Sequence, residues 1–182
     1  MVKAKLVLMS AVTMSALALA AAQTPPGHMK ASTRAPALTT MDYIDLQQLS
    51  RRFAWAIDSG DNFGYALADL FTPDGTYTDT SDGPNGKTTQ GRDNLALVAR
   101  GGQRGPLFLN HFGMNHVITP TADGARGRAY DAILDLAKRP HSVTTGGYYD
   151  DLYEKTALGW RFKTRTFHQS KVDFWPQPAA TK

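Results

Sequence analysis

The 182-residue chain has no cysteine. That excludes a structural disulfide, a thiolate metal site, a cysteine nucleophile and lipidation of a cysteine behind an export signal. The fold therefore rests on its core alone. A basic run is also missing. Setting Lys3 and Lys5 aside leaves 18 Lys+Arg against 16 Asp+Glu, alternating in sign along the chain. Nothing in that pattern tracks a phosphate backbone, so nucleic acid is not an expected partner. No histidine pair has ligand spacing such as H-x-x-x-H, and a metal is not expected.

One long apolar run is present, from Leu6 to Leu19. It lies behind Lys3 and Lys5 and ahead of Ala20-Ala21-Ala22, the three-part layout of a cleavable export signal. Ser10, Thr13 and Ser15 interrupt it, and it falls short of the roughly 20 apolar residues of a spanning helix. The reading is a signal peptide over 1–22, a Pro/Ala/Thr/Ser-rich flexible linker over 23–38, one domain over 39–175 and a disordered tail over 176–182. The protein is expected to be exported, periplasmic or secreted, with no stable membrane anchor after cleavage.

Thr39 and Asp42 have capping-box spacing, and Ile44, Leu49, Phe53, Ala56 and Ile57 follow at roughly helical intervals, predicting an amphipathic helix over 40–58. Gly60 ends it, and a second, shorter helix is expected from Asp61 with Phe63, Leu67, Leu70 and Phe71 turned inward. A turn at Thr72-Pro73-Asp74-Gly75, a strand at 76–79, a polar loop at 81–87 and a third helix over 91–100 come next. Turn signals at 119–124, 138–142 and 156–159 then separate four long segments rich in β-branched and aromatic residues. Such short connections join antiparallel neighbours. Helices first and strands after them make an α+β domain: a cone-shaped α+β barrel, its curved antiparallel sheet covered by the N-terminal helices.

Strand alternation puts His111, Gly113, Asn115 and Val117 on one face and Phe112, Met114, His116 and Ile118 on the other. His111 and Asn115 then share a space that His116 does not. Asp58 ends the first helix behind Phe53-Ala54-Trp55-Ala56-Ile57. The negative end of the helix dipole and apolar walls both disfavour a bare anion there, as a general acid or base requires. The same position also suits an aspartate that merely binds the backbone of the Ser59-Gly60 turn. His168 shares a face with Trp160 and Phe162, so it either looks into the cavity or lies half-exposed on the closing strand.

Phe53-x4-Asp58-x2-Asp61, Leu70-Phe71-x2-Asp74-Gly75, Gly91-Arg92, Asn110-His111-x3-Asn115, Ala125-x-Gly127-x2-Tyr130 and Gly159-Trp160-Arg161-Phe162 together resemble the SnoaL-like family of the nuclear transport factor 2-like superfamily. The likeness is to its bile-acid 7α-dehydratase and scytalone dehydratase type, and it spans residues 40 to 172. It implies the α+β cone, chemistry without metal or organic cofactor, a homodimer, His111 as the catalytic histidine, Asp58 as the aspartate that orients it, and Asn115 as a polar neighbour. Where the family places a tyrosine on the first helix this chain has Phe53, leaving Trp55 and Tyr77 as possible neighbours of the site. A further family aspartate falls at Ile133, flanked with equal parity by Asp131 and Asp135.

The function expected is that of a cofactor-independent lyase (dehydratase) or isomerase/cyclase acting on a small cyclic hydroxy or keto compound through a His–Asp acid/base pair. The ligand would be a small apolar or polycyclic molecule. The alternative is a non-catalytic exported small-molecule-binding or dimerisation module of the same fold. Phe112, Met114 and Ile118 are the apolar candidates for a dimer contact.

Overall fold

The computed structural model describes residues 37–83, 85–102, 109–137 and 139–170. The signal peptide, most of the linker and the tail expected from the sequence lie outside these residues. Helix α1, Thr40–Ser59, starts from the capping box: Asp42 N–H donates to Thr39 Oγ1 at 3.2 Å, and Thr39 N–H donates to Asp42 Oδ2 at 2.9 Å. The other oxygen of Asp42 accepts from Lys155 Nζ at 2.7 Å and Trp160 Nε1 at 2.9 Å, which fastens the start of the helix to the far end of the sheet.

After Gly60 the expected second helix is reduced to a 3₁₀ turn, Asp61–Gly64, and a single turn α2, Tyr65–Ala68. Asn62 and Phe63 are left-handed (φ 52 and 56), which turns the Phe63 ring out to solvent instead of into the core. Strands β1 (Phe71–Asp79) and β2 (Lys87–Gln90), helix α3 (Arg92–Gly102), and strands β3 (Leu109–Thr121), β4 (Gly124–Asp135), β5 (Ser142–Thr156) and β6 (Gly159–Gln169) complete the order. Among the described residues no helix is long and apolar enough to cross a membrane.

The six strands form one curved, unclosed sheet in the order β2-β1-β6-β5-β4-β3. Four neighbouring pairs are antiparallel as expected, but β1 and β6 run parallel, so the sheet is mixed. The long excursion from β1 to β6 through α3 and four strands permits this; a short turn would not. β3 and β2 are the edges.

α1 lays Leu46, Leu49, Phe53 and Ala56 onto the sheet, where they meet Leu67, Phe71, Tyr77, Leu95, Tyr149 and Phe162 in one buried cluster. Each such side chain contributes about 1.5–3 kcal/mol of burial. Phe53 stands edge-on to Phe71, Tyr149 and Phe162, with centroids 5.7–6.2 Å apart.

Candidate active site

Asp58 is the penultimate residue of α1. Gly60, left-handed at φ 59, closes the helix by donating its N–H to Ala56 O at 2.9 Å, which fixes the direction in which Asp58 leaves the last turn. It does not lie on the core stripe. It ends a second stripe, Ser50/Arg51, Ala54/Trp55 and Asp58, whose three-to-four spacing turns it toward β3.

His111 lies in the first half of β3, opposite Ile133. Only β4 pairs with this edge strand, so its other side is open to α1. There the His111 backbone N–H donates to Asp58 Oδ2 at 2.9 Å, and the ring Nδ1 meets Asp58 Oδ1 at 2.5 Å. Both side chains are nearly buried, 13% and 10% exposed. Bonding to a carboxylate assigns the ring proton to Nδ1 and leaves a lone pair on Nε2. A cavity of about 430 Å³ opens over the pair, lined also by Ser50, Arg51, Trp55, Asn110, Phe112 and Gly113. A larger concavity of about 610 Å³ lies on the opposite face of the sheet around Arg126, Arg128, Tyr130 and Tyr148, with no histidine or carboxylate among its lining residues, so size does not mark the chemistry.

The two aspartates left open by the sequence are not equivalent. Asp131 pairs across to Gly113 and is buried, and its Oδ2 has no hydrogen-bond partner. Burial pushes its carboxyl up, opposed by the charges of His111 and Arg165 and reinforced by that of Asp58. Asp131 thus shares the interior with the pair, whereas Asp135, at the end of β4, accepts the Ala137 N–H of the following turn at 2.9 Å.

Two face assignments need correction. Asn115 does not join His111. Met114 pairs with Tyr130 and Val117 with Arg128, so Asn115 and His116 together oppose Ala129 in a bulge, and Asn115 is left-handed at φ 53. Asn115 is exposed and lines the outer concavity and a small cavity beside His116 but not the cavity over His111, and His116 and Ile118 turn inward instead. His168 is likewise not in the cavity. Lys163 is an extra residue between the pairs Leu152–Thr164 and Tyr153–Phe162. Beyond it Arg165 and Phe167 face in, while His168 stacks on the outer Tyr148 ring at 4.7 Å.

Of the remaining expected residues, Phe53 and Tyr77 are core rings 5.7 Å apart, Tyr77 with its hydroxyl pushed up by burial, and neither lines the cavity. Trp55 lines the mouth and is 76% exposed. Sequence reasoning missed a buried polar chain. His116 Nε2 bonds Tyr153 Oη at 2.9 Å, Tyr153 Oη donates to Asp151 Oδ2 at 2.7 Å, and Arg165 Nη1 reaches the same oxygen at 3.3 Å. The Arg165 guanidinium lies 3.6 Å from the Tyr149 ring centroid and 4.2 Å from that of Phe53. Burial pushes the Asp151 carboxyl up to about 6, with Arg165 and Tyr153 opposing it. Among the described residues no group of three or more His, Asp or Glu side chains is arranged to hold a metal ion.

The fold recurs in solved structures. Rv3472 of Mycobacterium tuberculosis, a protein of unknown function, is 21% identical over 72% of this chain and 73% of its own, with a TM-score of 0.63. An NTF2-like protein with a cystatin-like fold from Novosphingobium aromaticivorans is 22% identical over 72% and 84%, with a TM-score of 0.63. A protein from that organism assigned as a scytalone dehydratase is 19% identical over 78% and 95%, with a TM-score of 0.58. At these identities the likeness concerns the fold. No protein of curated function matches the chain. The SnoaL-like domain family matches residues 39–166, from the N-cap of α1 into β6. This chain therefore belongs to the SnoaL-like domain family.

Proposed function

We propose that the protein is a cofactor-independent lyase or isomerase that acts on a small cyclic hydroxy or keto compound, with His111 as general base and Asp58 as its positioning partner. The observation that carries this reading is the two-point grip of Asp58 on His111 beneath an open cavity. His111 Nε2 takes a proton from a carbon beside a carbonyl, and the bonding pair moves into the carbonyl oxygen as an enolate. Asp58 stabilises the imidazolium that forms. For dehydration, the carbonyl re-forms as a C–O bond to the neighbouring carbon breaks, and Nε2–H gives its proton to the departing hydroxide as water. For isomerisation, the proton returns to a different carbon. Asp131, its carboxyl pushed up by burial, lies in the interior opposite Gly113 and lines neither cavity, so it bears on the pair through its charge. Acid/base groups such as His111 contribute about 10²- to 10⁴-fold, which suits an activated substrate.

One observation favours a non-catalytic binding module. The helix position of the family tyrosine holds Phe53, a core ring 1% exposed, so no phenol is supplied there. Mass spectrometry of a metabolite extract incubated with the protein, beside folded Asp58→Ala and His111→Ala variants, separates the two. A compound that loses water or changes retention only with the unsubstituted protein supports the enzyme. A compound retained unchanged by all three leaves the binding module. Export is part of the same reading, and recovery of the chain in the cytoplasm with Met1 intact would count against it.

A further inference from the structure

The interior face of the sheet carries a hydrogen-bonded chain that the reaction at His111 does not use: His116 on β3, Tyr153 and Asp151 on β5, and Arg165 on β6. Two irregularities of the strands make it possible. The bulge at Asn115 and His116 turns the His116 ring inward, at the cost of a left-handed Asn115. β4 then lies between that ring and β5, and the residue it places there is Gly127, paired with Ile118 on one side and Asp151 on the other. The backbone of Gly127 is not left-handed, but a Cβ on it would lie 2.7 Å from both His116 Nε2 and Tyr153 Oη. A side chain would close the passage, so the glycine serves the contact between histidine and tyrosine.

The single hydrogen of a phenol gives this chain a polarity. With Asp151 ionised, Tyr153 Oη donates to Asp151 Oδ2 at 2.7 Å. The 2.9 Å bond to His116 is then made by the ring's Nε2–H, and Nδ1 is bare. With Asp151 protonated on Oδ2, the carboxyl donates to Tyr153 Oη, the phenol turns to Nε2, and the ring hydrogen sits on Nδ1. A proton on Oδ1 would point at no acceptor, because Asp151 Oδ1 has no hydrogen-bond partner among the described residues, and neither has His116 Nδ1. Asp151 is 0% exposed. The His116 ring at the other end borders a cavity of about 150 Å³ that shares Ser50, Arg51 and Gly113 with the cavity over His111.

We propose that His116, Tyr153 and Asp151 form a proton relay that carries one proton between the groove of α1 and β3 and the buried Asp151 carboxylate. On loading, a proton from solvent in the groove forms an N–H bond at His116 Nδ1, the Nε2 proton passes to Tyr153 Oη, and the phenol's own proton passes to Asp151 Oδ2. Ring and phenol end neutral, the carboxylate is neutralised, and the polarity of the chain has reversed. Unloading retraces these steps. The relay is independent of the acid/base reading of His111.

The proton rests on Asp151 and not on His116. Burial, with the charges of Arg165 on β6 and Arg51 on α1, pushes the His116 imidazolium down to about 4. Burial and the neighbouring Asp150 push the Asp151 carboxyl up to about 6, against Arg165 and Tyr153. Arg165 tolerates the loss of its carboxylate because its guanidinium also lies 3.6, 4.2 and 4.6 Å from the ring centroids of Tyr149, Phe53 and Phe162.

Nitrogen NMR of His116 and carbon NMR of the Asp151 carboxyl test the relay on the full chain without any ligand. As Asp151 takes up its proton near pH 6, His116 should stay neutral while its hydrogen moves from Nε2 to Nδ1. Tyr153→Phe keeps the ring that packs on Phe162 and removes the link. It should abolish the movement and slow proton exchange at Asp151 at least about ten-fold, since the carboxyl is then reached only by local opening. A hydrogen that stays on Nε2 as Asp151 titrates, an imidazolium formed in step with Asp151, or an exchange rate unchanged in Tyr153→Phe would each overturn the proposal.

Discussion

Asp58 holds the side chain and the main chain of His111 with one carboxylate, Oδ1 on the ring at 2.5 Å and Oδ2 on the backbone N–H at 2.9 Å. A single contact would leave the imidazole free to swing about it. Two contacts from a group anchored on α1 fix the ring against the strand, and they commit Nδ1 as the protonated nitrogen.

Replacing Asp58 with asparagine should reverse the tautomer. The amide oxygen can keep the backbone N–H, but the amide NH₂ then faces Nδ1 and turns it into an acceptor, moving the ring proton to Nε2. Nitrogen NMR of His111 should show the exchange, with catalysis falling about 10²- to 10⁴-fold and little change in stability. An unchanged Nδ1–H signal would contradict the assignment.

His116 should make the fold acid-sensitive. Its folded-state value near 4 lies below the ordinary 6.5, so between the two the unfolded chain binds more protons and stability rises with pH. Asp151 has the opposite sign. Raised from 3.8 to about 6, it is protonated more readily in the fold, and its contribution falls as pH rises through that range. From about pH 4.5 to about pH 7 the urea midpoint should therefore rise less, or fall more, in His116→Gln than in the unsubstituted protein, because the Asp151 contribution is then unopposed. An equal difference would rule out His116 as the source.

Arg165 and Asp151 are 2% and 0% exposed and 3.3 Å apart. Arg165→Met alone strands a buried carboxylate and should cost about 3–5 kcal/mol in urea unfolding. The double variant Arg165→Met/Asp151→Leu should recover much of that loss. If the single and double variants unfold alike, the pair is not coupled.

Self-association, if it occurs through the outer sheet face, should depend on Met114 and Tyr130, which are paired neighbours 46% and 61% exposed. Ile118 is not part of that surface, because the bulge turns it into the core. Light scattering should give a two-chain mass that drops to one chain in Met114→Lys/Tyr130→Lys. A one-chain mass for the unsubstituted protein would end the dimer proposal.

Most of the fold was legible because its signals are local. The capping box fixed the start of α1 and Gly60 its end, and turn residues marked the four long strands to within a few positions. The Asp58–His111 pair was legible for a related reason. Asp58 ends an unbroken helix, and His111 lies in β3 before any irregularity, so both periodicities hold as far as the residues that matter. Asn115 and His168 were misplaced because each lies at or beyond an inserted residue, and one insertion inverts every later side chain. Asn115 itself was the available clue, since asparagine tolerates the left-handed backbone of a bulge better than most residues. The burial of Arg165 had no such clue, for it depends on rings supplied by α1, β5 and β6 together.

β3 carries the candidate histidine on an edge, where no neighbouring strand covers the second row of amides. Amides in that row trade their hydrogens with water quickly unless something else occupies them. The amide of His111 is occupied, by Asp58. Its hydrogen-exchange rate is therefore a built-in clock for how often the carboxylate lets go, readable in the resting protein before any substrate is known.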